Sequence, residues 1–395
     1  MSSAEPRIAG PEPGSGVSDG HWAQYAELTG RCFGPIDMDL EIPRRHGLVC
    51  LALLDGQVVG GAIALPFHQH FGGRVVPTAG LSLVCTAPQA RGRRISARVV
   101  TELATALAAD GMPVVSLWTA TPGVYRRCGW EVAGNARGTW YPIDAFRDAP
   151  ATDLTLVPDP SPEAMRAVRE RDAARWNGAL LRPGWWTAWK QAGGEDDTVS
   201  YGFAAGGDLV GYATLRCETR RPWGYDLAVR DLHAPDARTL QALSGMLSEH
   251  GAQAERVHFP PGVLPPDPDF TWLLPRHRAE SYDWYPWMLR LTDIRGALEA
   301  RGWSPAVDAE LELAVESRSE ADRLLTLVVT GGQGKVHDGG RGLIPITERG
   351  LAAWYAGALS ASRASRLCLL RADTTALQSM DAMTGGQEPW LADLF

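Results

Sequence analysis

The 395-residue chain reads as an α/β protein (α+β mixed sheets), built from two related units followed by a third of α+β character. Three stretches predict this. Leu81, Leu83, Val84 and Cys85 make an apolar strand that passes through a basic turn into a helix, with Val99, Leu103, Ala104 and Leu107 at helical spacing. Residues 227–238 echo that strand and turn, sharing Ala-Pro-x-Ala-Arg, before a second amphipathic helix carrying Leu240, Leu243, Met246 and Leu247. Beyond Asp293 the pattern changes to a helix, strands at 310–315 and 325–329, a glycine turn at 331–334 and a helix capped by Thr347.

Length sets the number of units. Single cores stop growing well before 395 residues, so two or three domains are expected. Hydrophobic residues at 45% and charged residues at 21% are ordinary for a soluble globular chain. A net charge of −8 argues against a nucleic-acid binder. The six scattered cysteines form no Cys-x-x-Cys pair and read as reduced, buried thiols of a cytoplasmic protein. The first residues, Met-Ser-Ser-Ala-Glu-Pro, lack the basic and apolar regions of a signal peptide. The longest apolar run, 48–67, is broken by Asp55, Gly56, Gln57, Gly60, Gly61 and Pro66, so no membrane span is expected.

Taken in order, residues 1–20 are rich in Ser, Pro, Gly and Glu and are expected to be a disordered extension. A helix follows over 22–32. Strands at 48–54 and 58–65 flank Asp55-Gly56, a pair that tolerates positive φ and so predicts a hairpin. Gly72-Gly73 marks a second hairpin into the strand ending at Thr86, 113–118 is a buried strand, and 129–141 closes the first unit. The Pro-rich segment 149–162 reads as a linker. The second unit opens on a helix at 162–176, followed by Arg182-Pro-Gly-Trp-Trp186 and a hairpin turning at Gly206-Gly207-Asp208. Domain limits follow at 21–150, 151–290 and 291–395.

Four features carry chemistry. Arg91, Gly92, Arg93 and Arg94 precede a helix start, where free N–H groups, the helix dipole and cations make an anion site suited to a pyrophosphate; a solvated helix end is the plain alternative. Tyr125 is a candidate general acid, since a phenol near pKa ~10 stays protonated at neutral pH; its plain role is packing on Trp130. Cys128 has no base nearby in sequence and reads as core. The chain finishes Trp390-Leu-Ala-Asp-Leu-Phe395, too apolar for a frayed end. His68 and His70 share a strand face with no third ligand and read as solvated, so no metal is expected. Ser82 and Ser116 have no His and Asp partners visible in the sequence, and the lack of a nucleophile elbow argues against a hydrolase.

The run Ala87-Pro-x-x-Arg-Gly-x-x-Ile95 between strand and helix, together with Thr-Pro-Gly-Val-Tyr-Arg-Arg-Cys-Gly-Trp at 121–130, resembles the acyl-coenzyme A loop and second signature of GNAT acetyltransferases. Length, the second unit and the terminal Pro-Trp-Leu-Ala-Asp-Leu-Phe narrow the resemblance to the Eis-like N-acetyltransferases, over residues from about 20 to 395. It implies tandem GNAT-like domains, the second degenerate, with a sterol-carrier-like C-terminal domain. The implied cofactor is acetyl-CoA, seated on Val84, Cys85, Thr86, Arg91, Gly92, Arg93, Arg94, Ile95 and Ser96. One departure stands out: Arg94 occupies a loop position where the family carries glycine. The resemblance makes Tyr125 the acid and the α-carboxylate of Phe395 the base. Trp22, Phe33, Asp393 and Leu394 fall on the acceptor side, with a small-molecule or lysine amine as partner. A homohexamer is implied. In drug-acetylating members an acidic residue precedes the terminal Phe; here Leu394 does. A GNAT-fold enzyme of altered chemistry that tailors a secondary metabolite, or a non-catalytic scaffold, fits these departures as well.

Overall fold

The computed structural model describes residues 5–34, 39–192, 197–219, 223–266, 270–274, 276–317, 322–386 and 388–395. In the first unit, β1 (Arg7–Pro13), α1 (Asp19–Phe33) and α2 (Glu41–His46) lead into β2 (Leu48–Leu54), β3 (Gln57–Phe71) and β4 (Arg74–Thr86). Then come α3 (Ile95–Ala109), β5 (Val114–Trp118), α4 (Pro122–Arg126) and β6 (Glu131–Pro142). Both predicted hairpins form. Asp55 and Gly56 take φ of 50° and 77°, and Gly72 and Gly73 take 61° and 75°, the left-handed pairs that match strand twist.

The second unit comprises β7 (Thr155–Pro158), α5 (Pro162–Ala173), β8 (Leu180–Leu181), α6 (Gly184–Ala192), β9 (Thr198–Ala205) and β10 (Asp208–Thr219). It continues through β11 (Tyr225–His233), α7 (Ala237–Glu249), β12 (Ala254–Phe259), α8 (Phe270–Leu273) and β13 (Glu280–Leu291). The third has α9 (Ile294–Ala300), β14 (Ala309–Glu316), β15 (Arg323–Thr330), β16 (Gln333–Asp338) and β17 (Ile344–Thr347). It ends in α10 (Glu348–Ala356), α11 (Ala361–Arg366) and α12 (Thr374–Thr384).

One 13-stranded sheet joins the first two units, in the order β1-β2-β3-β4-β5-β13-β6-β12-β11-β10-β9-β7, with β8 on β3. The last strand of the second unit, β13, sits in the first unit's half, antiparallel to β5 on one side and β6 on the other. β12 then pairs with β6 and closes the seam. Sequence periodicity carries no record of which strand will be a neighbour, so this exchange was not foreseen. The core follows the exchange: Trp287, Met288 and Leu289 of β13 belong to a cluster that holds Val99, Leu103 and Leu107 of α3 and also Trp303 and Trp354 of the third unit.

Three expectations are corrected. Residues 7–13 are not disordered; they form β1, an edge strand paired with β2 (Ala9 opposite Leu51), where the prolines need supply no ladder N–H. Within the expected linker, residues 155–158 form β7 on β9. Of the six free cysteines, Cys50 and Cys85 are buried but Cys217 and Cys368 are exposed. No helix among the described residues is long and apolar enough to cross a membrane.

Candidate active site

Two parallel strands part in the middle of the first unit. β4 and β5 pair from Thr78–Val114 to Leu81–Leu117, after which β4 runs on to Thr86 without its partner. On its far edge β4 stays bonded to β3, through Ser82, Cys85 and Thr86. A bulge makes the divergence: Leu83 takes φ +53°, and its carbonyl accepts a 2.8 Å bond from the hydroxyl of Tyr25. The result is a fork whose β4 prong has an unpaired inner edge over 82–86, a surface to which an extended amide chain can bond.

At the tip of that prong the chain turns through Gly92 (φ +83°) and Arg94 (φ +56°) and enters α3 at Ile95. No side chain caps α3, so its first N–H groups remain available. Arg91 and Arg94 are exposed, Arg93 and Ser96 half-buried, and the Ser96 and Thr86 hydroxyls meet at 2.8 Å. Space beside Gly92 is open. Uncapped donors, cations and a bare strand edge suit a phosphate joined to an amide-rich arm, and the nine residues from Val84 to Ser96 expected to seat acetyl-CoA lie along this one strand, turn and helix start, with Cys85 and Ile95 buried.

Tyr125 stands on α4, 6% exposed, with its ring edge-on to Trp130 at 6.0 Å. Burial pushes its phenol up to about 12, and the Cys128 and Cys85 thiols add to this against a hydrogen bond from Thr119. Thr119 directly follows β5 and Cys85 lies on the β4 prong, so the phenol faces both arms of the fork. Burial raises the Cys85 and Cys128 thiols too, which leaves them poor nucleophiles.

The C-terminal segment reaches the same place from the other side. The Phe395 ring packs on Gly80, one residue before the fork opens, and on Phe67 at 5.3 Å. Trp118 Nε1 donates to the Asp393 carbonyl at 3.0 Å, and Lys190 Nζ donates to the Leu394 carbonyl at 2.8 Å. The Asp393 carboxylate accepts from Arg182 Nε and from Trp186 Nε1, both at 3.1 Å. Arg182 also holds Asp231 through two bonds of 2.9 and 3.1 Å, and Tyr212 donates to that carboxylate at 2.7 Å. Although burial opposes it, Arg182 holds the Asp231 carboxyl well below the usual range.

The expected acceptor residues separate. Trp22 is buried at the α1–α2 junction, against Tyr25 and beneath Arg44, and so is core. Phe33 is 56% exposed at the end of α1. Asp393 is engaged by Arg182 and does not face a substrate as a free carboxylate. Trp185 lies between His46 at 4.8 Å and Phe67 at 5.6 Å in a near-parallel stack. From sequence alone the 182–186 segment reads as either acceptor-pocket lining or core anchor, with core favoured; Arg182, Trp186 and Lys190 prove to grip the C-terminal segment. Their signal was an arginine beside two tryptophans, which has no fixed meaning without its partners.

His68 is exposed, but His70 is buried with neither ring nitrogen bonded, and burial lowers its pKa. No group of three metal-ligating side chains occurs among the described residues. Ser116 donates to Gln69 at 3.3 Å.

Comparison with known proteins bears on the domains and the fold. Residues 15–133 and 178–291 match two models of the acetyltransferase (GNAT) domain, and residues 294–392 match the sterol carrier protein domain. Proteins named N-acetyltransferase Eis from Mycobacterium tuberculosis and Mycobacterium bovis are 28% identical over 282 residues; the match spans 64% of this chain and 64% of theirs. A GCN5-related N-acetyltransferase from Anabaena variabilis superposes with TM-score 0.87 at 26% identity, covering 96% of this chain and 98% of that one. Eis1 from Mycobacterium abscessus shares the fold at TM-score 0.79 and 22% identity, over 96% and 98% of the two chains.

Proposed function

The chain belongs to the Eis-like GNAT acetyltransferases, and from that premise we propose that it moves an acetyl group from acetyl-CoA directly to a primary amine. The observation that carries this is the convergence at the end of β5. Trp118 receives the C-terminal segment and the next residue, Thr119, meets Tyr125.

In this reading the inner edge of β4 over 82–86 aligns the thioester arm, and the open turn of α3 with Arg91, Arg93 and Arg94 holds the phosphates. Acetyl-CoA supplies the activated acyl group. The Phe395 α-carboxylate takes the proton that the amine nitrogen loses as its bond to the acyl carbon forms. Tyr125 donates a hydrogen bond to the sulfur as the carbon–sulfur bond breaks. A phenol near 12 facing a thiolate of ordinary pKa near 8.5 would make complete proton transfer uphill by about 5 kcal/mol. Burial in the fork raises thiols as well, which narrows that gap. Direct attack is favoured because neither Cys85 nor Cys128 is poised to form an acyl-enzyme.

The acceptor is an amine of the aminoglycoside, polyamine, lysine or other small-molecule kind. The half-exposed Trp185 stack beside Phe67 and the capture of Asp393 by Arg182 favour an amine with one charge and a flat body over a polycation. That second reading matches a tailoring acyltransferase of small metabolites. Assembly as a homohexamer and residence in the cytoplasm belong to the same proposal.

Titration calorimetry with acetyl-CoA, then a thiol-release assay over a panel of amines, tests it. Micromolar binding and turnover that falls in both the Tyr125→Phe variant and the Phe395 deletion support the reading. No heat with any acyl-CoA leaves a scaffold, and wild-type turnover in both variants removes the assigned roles.

A further inference from the structure

The second unit contains a fork like the first. β11 and β12 pair in parallel up to Ala228–His258, and β11 then continues to His233 bonded to β10 but without β12. Ala228 precedes Ala234-Pro235 by six residues, as Leu81, the last paired residue of β4, precedes Ala87-Pro88 by six. The two strands therefore part at equivalent positions.

What lies at each fork differs. At the first helix the N-terminal donors are open. At α7 the Asp236 carboxylate accepts from Thr239 N at 2.9 Å in a reciprocal capping box, which puts a negative charge where a phosphate would sit. Between the arms of the second fork lies Trp390. Its Nε1 donates to the carbonyl of Gly262, just past β12, at 2.8 Å, and its ring stands 6.2 Å from His233 at the end of β11 and 5.4 Å from Trp176. The space left, bounded by Leu232, Pro235, Leu240, Val263 and Trp390, is about 50 Å³, enough for a few waters and far too small for an acyl-thioester arm. Three residues on, Asp393 is tied through Arg182 to Asp231, also on the part of β11 that runs past β12.

We propose that the fork of the second unit is the receptor for the chain's own segment 389–395, and that Trp390 and Arg182 are positioning residues that aim Phe395 into the first fork. This rests on the reading of Phe395 as the base. The second unit then binds no coenzyme; it sets where the proton acceptor stands. Trp390 fixes the segment along its length through Gly262 and Asn177, to whose carbonyl its N–H donates at 2.7 Å, while Arg182 fixes its end through Asp393.

The test uses the full chain carrying Trp390→Ala, Arg182→Met or Arg182→Lys. Hydrogen exchange over 389–395 should accelerate in the first two. Their kcat should fall by about 10²-fold, the cost of misplacing a reacting group by an ångström, while the acetyl-CoA dissociation constant stays within about twofold. The lost rate should return as pH rises toward the pKa of the acceptor amine, since a free amine needs no base, and Arg182→Lys should restore part of it at neutral pH. Binding should saturate at one acetyl-CoA per chain. Two acetyl-CoA per chain, unchanged kcat with a loosened segment, or a loss of coenzyme affinity in step with kcat each overturn the proposal. Deleting Phe395 separates the two ideas. Wild-type turnover in that deletion defeats the base and leaves stoichiometry and exchange to decide the receptor. A dead deletion beside fully active Trp390 and Arg182 variants defeats the receptor alone. Should Trp390→Ala not fold, Asp393→Asn takes its place in every measurement.

Discussion

Gly80 leaves open the space that the Phe395 ring fills: a Cβ on Gly80 would lie 2.5 Å from Cε2 of that ring. Backbone freedom is not the reason for glycine here, since Gly80 is an ordinary strand residue paired with both β3 and β5. Gly80→Ala should therefore leave the sheet intact and push the ring away. Crowding of this kind costs roughly 1–3 kcal/mol, shared between the strand and the C-terminal segment. The expected outcome is a small drop in Tm with a kcat loss of tenfold or more. A thermal melt beside a thiol-release assay checks it, and full activity would mean that Phe395 need not sit on Gly80.

Tyr125→Phe removes one oxygen and keeps the edge-on contact with Trp130, so stability at neutral pH should hardly change. Loss of a hydrogen-bond donor to the leaving sulfur should lower kcat by about 10²–10³-fold. The pH signature has a definite sign. The folded phenol, near 12, ionises later than the unfolded one, near 10. Between those values the unfolded chain has released a proton that the folded chain retains, so wild-type stability falls as pH rises from about 10 to 12. The Phe variant should lack that part of the alkaline decline, which chemical denaturation at stepped pH can read.

Local chemistry made much of this fold legible. Asp55-Gly56, Gly72-Gly73 and Gly206-Gly207 each gave a hairpin because positive φ restricts which residues can stand there, and Thr347 gave a helix start because its hydroxyl takes the Gly350 N–H at 3.0 Å. The groove was legible for the same reason, as a strand, glycine turn and helix contiguous in sequence. What stayed hidden was long-range. β13 carries no mark that it belongs between β5 and β6, and Arg182 gives no sign that it will meet Asp231 and Asp393, 49 and 211 residues away. β1 was missed because prolines weigh against a strand everywhere except on an edge.

Arg94 holds φ +56° at the N-cap of α3 with an exposed side chain. A residue with a Cβ pays about 1–2 kcal/mol in that conformation. Arg94→Gly relieves it and, after the extra flexibility of glycine in the unfolded chain, should raise Tm slightly. Acetyl-CoA should nonetheless bind about threefold to fivefold more weakly, since a solvent-screened cation near phosphate is worth under about 1 kcal/mol. The salt dependence of the dissociation constant should become shallower. Tighter binding by the variant would show that arginine here only obstructs.

Glu131 joins the first unit to the third. Its carboxylate, on a residue 4% exposed, accepts from Arg126 Nε at 2.9 Å and Arg349 Nε at 2.8 Å and from the backbone N–H of Val132. Burial works to raise this carboxyl, but Arg126, Val132 and Arg349 together lower it below its ordinary value. Glu131→Gln keeps the shape and leaves two arginines without their counter-charge. Full burial of such a break costs about 3–5 kcal/mol; with both arginines partly solvated, about 1–3 kcal/mol is expected at pH 7. A lowered folded pKa means that the wild-type advantage is complete above the unfolded carboxyl's pKa and fades as pH falls through the folded one. Denaturant midpoints of the two proteins should therefore differ at pH 7 and converge in acid, with the difference lying in the release of the C-terminal domain. Equal midpoints at pH 7 would place the hold between the first and third units in their shared core around Trp287, Trp303 and Trp354 instead.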